Sequence, residues 1–155
     1  MDKNAVRSLV QDNISTMPEI NIQQESKSVC GKLIEIFSRK ECDTIITYHA
    51  FDDEIDISKI NEWCHNNGKN VLIIPQSTEA FEVPDNAIII VPGRAFTQDG
   101  QRIGRWSGYY DKLIAQYPQS QTIGVCFRCQ IFEKLPEDSW DKRMDEVVFP
   151  SINLE

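Results

Sequence analysis

The chain predicts an α/β fold with a mainly parallel sheet flanked by helices, and two observations carry that expectation. The runs NVLIIP (70–75) and AIIIVP (87–92) are short, continuously apolar and closed by proline, as suits parallel strands covered on both faces. Around them the apolar spacing switches to the helical period, so strand and helix alternate along the chain. Val6, Leu9, Val10 and Ile14 fall on one helical face, with Asp2 placed to cap its start. Val29, Cys30, Leu33, Ile34 and Phe37 make a second helix, and TIITY (44–48) reads as a strand. Ile57, Ile60, Trp63 and Cys64 give a third helix, stopped by Asn66-Asn67-Gly68. Beyond 87–92 come a loop over 93–107, a helix over 108–117, a strand over 122–127 and an edge strand at DEVVFP. No repeat, low-complexity tract or linker interrupts this order, so residues 1–155 are expected to form one domain.

Composition narrows the function classes. At 155 residues, 41% of them hydrophobic and 26% charged, the chain is long enough to bury a core. No apolar run is long enough to span a bilayer, and MDKNAVRSLVQDN has no apolar signal region, so a cytoplasmic protein with no membrane association is expected. A net charge of −8 argues against general nucleic-acid binding, though a local basic cluster can still hold a phosphate. Five cysteines, an odd number at irregular spacing, read as reduced thiols. Cys126 and Cys129 form a lone CxxC, better explained by packing than by zinc or redox chemistry, and His49 and His65 lack metal-ligand spacing.

The stretch GQRIGRWSGYYDKL (100–113) sets Arg102, Arg105 and glycines just before the helix that starts near Gly108. A helix start offers free N–H groups and the positive end of a dipole, so an anion is expected there, although such glycines also serve plain turns. In an α/β sheet this loop, which follows the strand 87–92, lies where ligands bind.

The longer run VPGRAFTQDGQRIGRWSGYYDKLI (91–114) resembles the signature of the 5-formyltetrahydrofolate cyclo-ligase family, also called methenyltetrahydrofolate synthetases. That signature reads roughly VPG-x-AFD-x-x-G-x-RLG-x-G-x-GYYD-x-x-L. The likeness continues through TIGVCFRCQIFEKLPEDSWDKRMDEVVFP (122–150), and FDDEIDI (51–57) and GKNVLIIP (68–75) look like the family's first half. The resemblance implies a Rossmann-like fold related to sugar-phosphate isomerases and CoA transferases. It also implies conversion of 5-formyltetrahydrofolate to 5,10-methenyltetrahydrofolate with ATP and Mg²⁺. In that chemistry the formyl oxygen attacks the γ-phosphate, N10 closes on the activated carbon, and phosphate departs. The implied partner is a reduced folate, and a monomer or weak homodimer is expected.

The resemblance also places residues. Lys3 and Arg7, one helical turn apart, match a pair that grips ATP phosphates; alone they would read as a solvated basic face. Arg102, Gly104, Arg105, Trp106, Ser107, Gly108, Tyr109 and Tyr110 fall in the nucleotide loop, with Arg105 the catalytic candidate and Tyr110 also assigned to packing. Asp111 and Asp145 match Mg²⁺ ligands, Asp111 reading equally as a first-turn carboxylate that suits the helix dipole. Glu54 matches an acid that pairs with the donor edge of the pterin, and otherwise belongs to an acidic loop with Asp52 and Asp53. His49 and Tyr109 match further folate contacts.

Three departures stand out. Trp106 replaces a family glycine, Ser107 sits where some members carry lysine, and 76–86 is shorter than the usual insertion that closes over the folate. They leave two other readings open: a non-catalytic nucleotide- or phosphate-binding module, or an enzyme acting on a smaller phosphorylated substrate.

Overall fold

A computed structural model describes residues 1–74, 83–105 and 108–151. Its elements are α1 (Lys3–Ser15), α2 (Glu19–Arg39), β1 (Thr44–Thr47), α3 (Ser58–Asn66), β2 (Asn70–Ile73), β3 (Ala87–Val91), β4 (Ala95–Phe96), β5 (Arg102–Ile103), α4 (Tyr109–Gln116), β6 (Gln121–Val125) and β7 (Glu146–Val148). Five strands form one sheet in the order β2-β1-β3-β6-β7, every pairing parallel. The expected α/β class is therefore the observed one.

Alternation along the strands builds two cores. Ile45, Ile88, Ile90 and Ile123 face one side, where they pack with Val6 and Val10 of α1, Val29 and Leu33 of α2 and Ile60 of α3. Ile46, Ile89 and Val91 face the other side, with Leu113 and Ile114 of α4. Among the described residues, no helix is long and apolar enough to cross a membrane.

Local chemistry explains most element boundaries. The Asp2 carboxylate accepts the Ala5 N–H at 2.8 Å and caps α1 as expected, while Leu9 falls off the buried line of Val6, Val10 and Ile14. Helix α2 begins ten residues before Val29. Its packed face there carries Ser26, whose hydroxyl accepts the Asp56 N–H, so no apolar period announces the first half. At the end of α3 Gly68 takes φ 70° and the Lys69 N–H returns to the Cys64 carbonyl at 2.9 Å.

Two expectations need correction. The run 70–75 was expected to be covered on both faces, yet β2 is an edge strand, with Leu72 and Ile73 36% and 38% exposed. The stretch 93–107 is not a plain loop, because β4 and β5 pair in an antiparallel hairpin within it. The five cysteines are free thiols, four of them buried, and burial pushes Cys30 and Cys64 up to about 11.

The strand order has a functional consequence. From β1 the chain crosses to β2 on one side, whereas from β3 it proceeds to β6 on the other. The carboxyl ends of β1 and β3 therefore border the crevice where open α/β sheets bind ligands.

Candidate active site

A cavity of about 600 Å³ opens at that crevice. The exit of β1 supplies Tyr48 and His49, and the exit of β3 supplies Pro92 and Gly93. Helix α1 contributes Lys3 and Arg7, the hairpin and its sequel Arg102, Gly104 and Arg105, and the start of α4 Gly108, Tyr109, Tyr110 and Asp111. Phe51 and Glu54 come from the loop after β1. Residues expected from five separate parts of the sequence thus line one space.

Each cation is held by the protein. Arg7 donates from Nε to the Gly104 carbonyl at 2.8 Å, tying α1 to the loop. Lys3 pairs with Asp138 at 2.8 Å and Asp141 at 2.6 Å. Burial pushes the Lys3 pKa down, but these carboxylates outweigh it and leave the ammonium more basic than usual. Arg102 is nearly buried and donates from Nε to the Pro92 carbonyl at 2.9 Å. It lies 5.3 Å from the Tyr110 ring centroid and 3.6 Å from Asp111. A Cβ at Gly93 or at Gly104 would come within 3.1 Å of its guanidinium, so both glycines make room for that group. Burial lowers its pKa, although it remains a cation at neutral pH.

Arg105 reaches in a different direction. It contacts Asp53 Oδ1, lies 3.5 Å from Glu54 Oε2, and covers the Phe51 ring at 4.8 Å. Its Nε is buried and makes no hydrogen bond to any of the described residues. The other Asp53 oxygen accepts from Arg94 at 3.1 Å, and Arg94, 3% exposed, also donates to Gln11 Oε1 at 2.9 Å. Arg105 is therefore anchored through Asp53 to a buried arginine. Glu54 is 8% exposed and accepts the Phe51 N–H at 2.9 Å. Burial holds its carboxyl above the ordinary value of 4.5, against the pull of that N–H and of Arg105.

Sequence reasoning missed Arg94, Asp53 and Gln130. Arg94 occupies the variable position of the VPG-x-AF pattern, and a cation there gave no sign of being buried. Gln130 is 2% exposed: its Nε2 donates to the carbonyls of Gly93 and Arg94, and its Oε1 accepts the Phe127 N–H. Gln130→Leu is expected to orphan three backbone groups and lower stability by about 3 kcal/mol, measured by chemical denaturation.

Two site expectations fare differently. Asp145 is not brought to the cavity: its Oδ2 accepts from the Thr122 N–H at 2.8 Å, at the amino end of β6. A carboxylate committed to closing the sheet there does not pair with Asp111 around an ion. Trp106 and Ser107 lie outside the described residues, as do Pro75 and residues 76–82 of the short segment.

The residues fit a bound triphosphate. Four cationic side chains line the space, and Gly108, at φ 67° with none of the described residues within 4 Å of a Cβ position, opens the start of α4. The fit to Mg²⁺ is narrower. No group of three or more potential ligand side chains occurs among the described residues, which leaves Asp111. One carboxylate suffices for Mg²⁺ where the nucleotide's phosphates and retained waters supply the remaining oxygen ligands.

The model of the 5-formyltetrahydrofolate cyclo-ligase family matches residues 75–150, the span that carries the hairpin, the loop and α4. The rest of the chain is similar to members of that family as well. The chain is 24% identical to a probable 5-formyltetrahydrofolate cyclo-ligase of Schizosaccharomyces pombe, over 97% of this chain and 96% of that protein. It is 26% identical to the 5-formyltetrahydrofolate cyclo-ligase of Mycoplasma pneumoniae over 162 aligned residues, which cover 96% of this chain and 98% of the relative. That relative is thus about as short, so the brevity of 76–86 does not set this cyclo-ligase homologue apart from the family. A solved 5,10-methenyltetrahydrofolate synthetase from M. pneumoniae shares the fold, with a TM-score of 0.84 at 24% identity over 96% of this chain and 99% of its own. The family is one of enzymes, and its activity is conversion of 5-formyltetrahydrofolate to the 5,10-methenyl form.

Proposed function

We propose that this protein converts 5-formyltetrahydrofolate to 5,10-methenyltetrahydrofolate using ATP and Mg²⁺ in the cavity at the β1–β3 crevice. The observation that carries the reading is that one space joins a cationic wall to a buried carboxylate with a raised pKa. The cationic wall suits a triphosphate, and Glu54 suits the N–C–N donor edge of a pterin.

In the proposed chemistry the formyl oxygen bonds to the γ-phosphorus as the bond to ADP breaks; N10 then bonds to the formyl carbon and loses its proton as the carbon–oxygen bond breaks and phosphate leaves. Mg²⁺ bound with the nucleotide would neutralise phosphate charge beside Asp111. Lys3, Arg7 and Arg102 hold the phosphates, so the protein's contribution is chiefly positioning and charge stabilisation. Arg105, fixed by Asp53 beside Glu54, stands where charge passes from the folate to the phosphoryl group. His49 and Tyr109 line the folate side, and burial keeps the Tyr110 phenol protonated.

The Glu54 pKa gives a signed pH dependence. Its native carboxyl binds a proton more tightly than the unfolded one, so its ionisation costs stability as pH rises from 4.5 through the raised value. Pterin binding needs the ionised form. Folate affinity is therefore expected to fall as pH drops through that window, while this contribution to stability grows. Glu54→Gln should flatten both profiles.

A thermal-shift comparison tests the reading as a whole. MgATP and 5-formyltetrahydrofolate should each raise the unfolding midpoint, as ligands that bind only the native state do. Protection by MgATP alone would reduce the protein to a nucleotide-binding module, and protection by neither would overturn the reading.

A further inference from the structure

Trp140 is 72% exposed, yet it lines the cavity mouth. It occupies a turn closed by the Asp141 N–H donating to the Asp138 carbonyl at 3.1 Å. The turn is fixed on both sides. Asp138 and Asp141 hold Lys3, and Arg143 pairs with Glu137 at 2.9 Å and Asp99 at 3.1 Å. A soluble protein that pins a loop and leaves its largest apolar side chain in water, over a cavity, holds a surface for a flat partner.

We propose that Trp140 is the platform on which the nucleobase of ATP stacks, an inference that rests on the nucleotide reading above. The neighbouring residue, Asp141, binds Lys3, so the indole adjoins the part of the cavity assigned to phosphates. The carboxylates beside it are engaged by Lys3 and by the Asp138 N–H, which leaves them poorly suited to the donor edge of a pterin. Glu54, which suits that edge, sits instead with Phe51 and Arg105. Recognition by stacking reads the face of a ring and not its edge, so the site should accept purine triphosphates with little preference among them.

The test measures dissociation constants by calorimetry for MgATP and for magnesium tripolyphosphate, which has no base, on wild type, Trp140→Ala and Trp140→Phe. Trp140→Ala should weaken MgATP binding about tenfold or more and leave tripolyphosphate unchanged. Trp140→Phe should keep most of the ATP affinity, and the unfolding midpoint of both variants should match wild type because the side chain is exposed. Equal losses for both ligands, or an unchanged ATP affinity in Trp140→Ala, would overturn the platform. So would wild-type protein that binds ATP no tighter than tripolyphosphate, a result that spares the phosphate site. Wild-type protein that binds neither ligand would overturn the nucleotide reading and the platform with it.

Discussion

Arg102→Ala is expected to remove measurable MgATP protection and to lower turnover about a hundredfold or more. The guanidinium does several things at once. It closes on the Pro92 carbonyl at 2.9 Å, lies over Tyr110, faces Asp111 at 3.6 Å and fills the gap that Gly93 and Gly104 leave. Its loss frees the loop and Asp111 together. Arg102→Lys should not restore binding, because an ammonium lacks the planar fork that serves a carbonyl and an anion at the same time. A lysine variant with near wild-type ATP affinity would show that charge alone is needed there. Gly104→Ala should give a milder form of the same defect by pressing on the Arg102 guanidinium.

The second large effect is expected at Asp53. This carboxylate bridges Arg94 and Arg105, and Arg94 is buried with Gln11 as its one other hydrogen-bonded side-chain partner among the described residues. Asp53→Ala leaves that cation stranded, at a cost of about 3 kcal/mol; a fully buried pair would cost more, but Asp53 retains some exposure. Arg94→Met in the same chain should recover much of the loss, because the stranded charge is then gone. Turnover should stay low in both proteins, since Arg105 has lost its anchor. A double variant no more stable than Asp53→Ala, by urea denaturation, would show that the pair is not the unit described.

Much of this was legible in the sequence, for identifiable reasons. The runs AIIIVP and TIITY are buried on both faces, and such strands announce themselves by unbroken apolarity. Asp2 and Gly68 mark helix ends by backbone chemistry that needs no tertiary contact. The first half of α2 was not legible, because its buried position is a serine paired to Asp56. Nor was β2 as an exposed edge, since apolarity alone does not say whether a partner layer covers a strand. In the site, the motif named the residues of the loop but not their partners. Arg105 reads as a phosphate ligand in one dimension, and only the return of the 51–54 loop shows it bound to Asp53 and beside Glu54. Asp145 illustrates the reverse: a motif position whose carboxylate is used to bond Thr122.

The most direct measurement mixes the purified protein with MgATP and 5-formyltetrahydrofolate carrying ¹⁸O in its formyl group. It follows the near-ultraviolet absorbance of the methenyl product and the label in released phosphate. The expected result is ATP-dependent growth of that absorbance with ¹⁸O in the phosphate, both lost in Glu54→Gln and in Arg102→Ala. A flat trace from protein that binds both ligands, or product formed with phosphate free of label, would contradict the proposal that this cavity activates the formyl oxygen by phosphorylation.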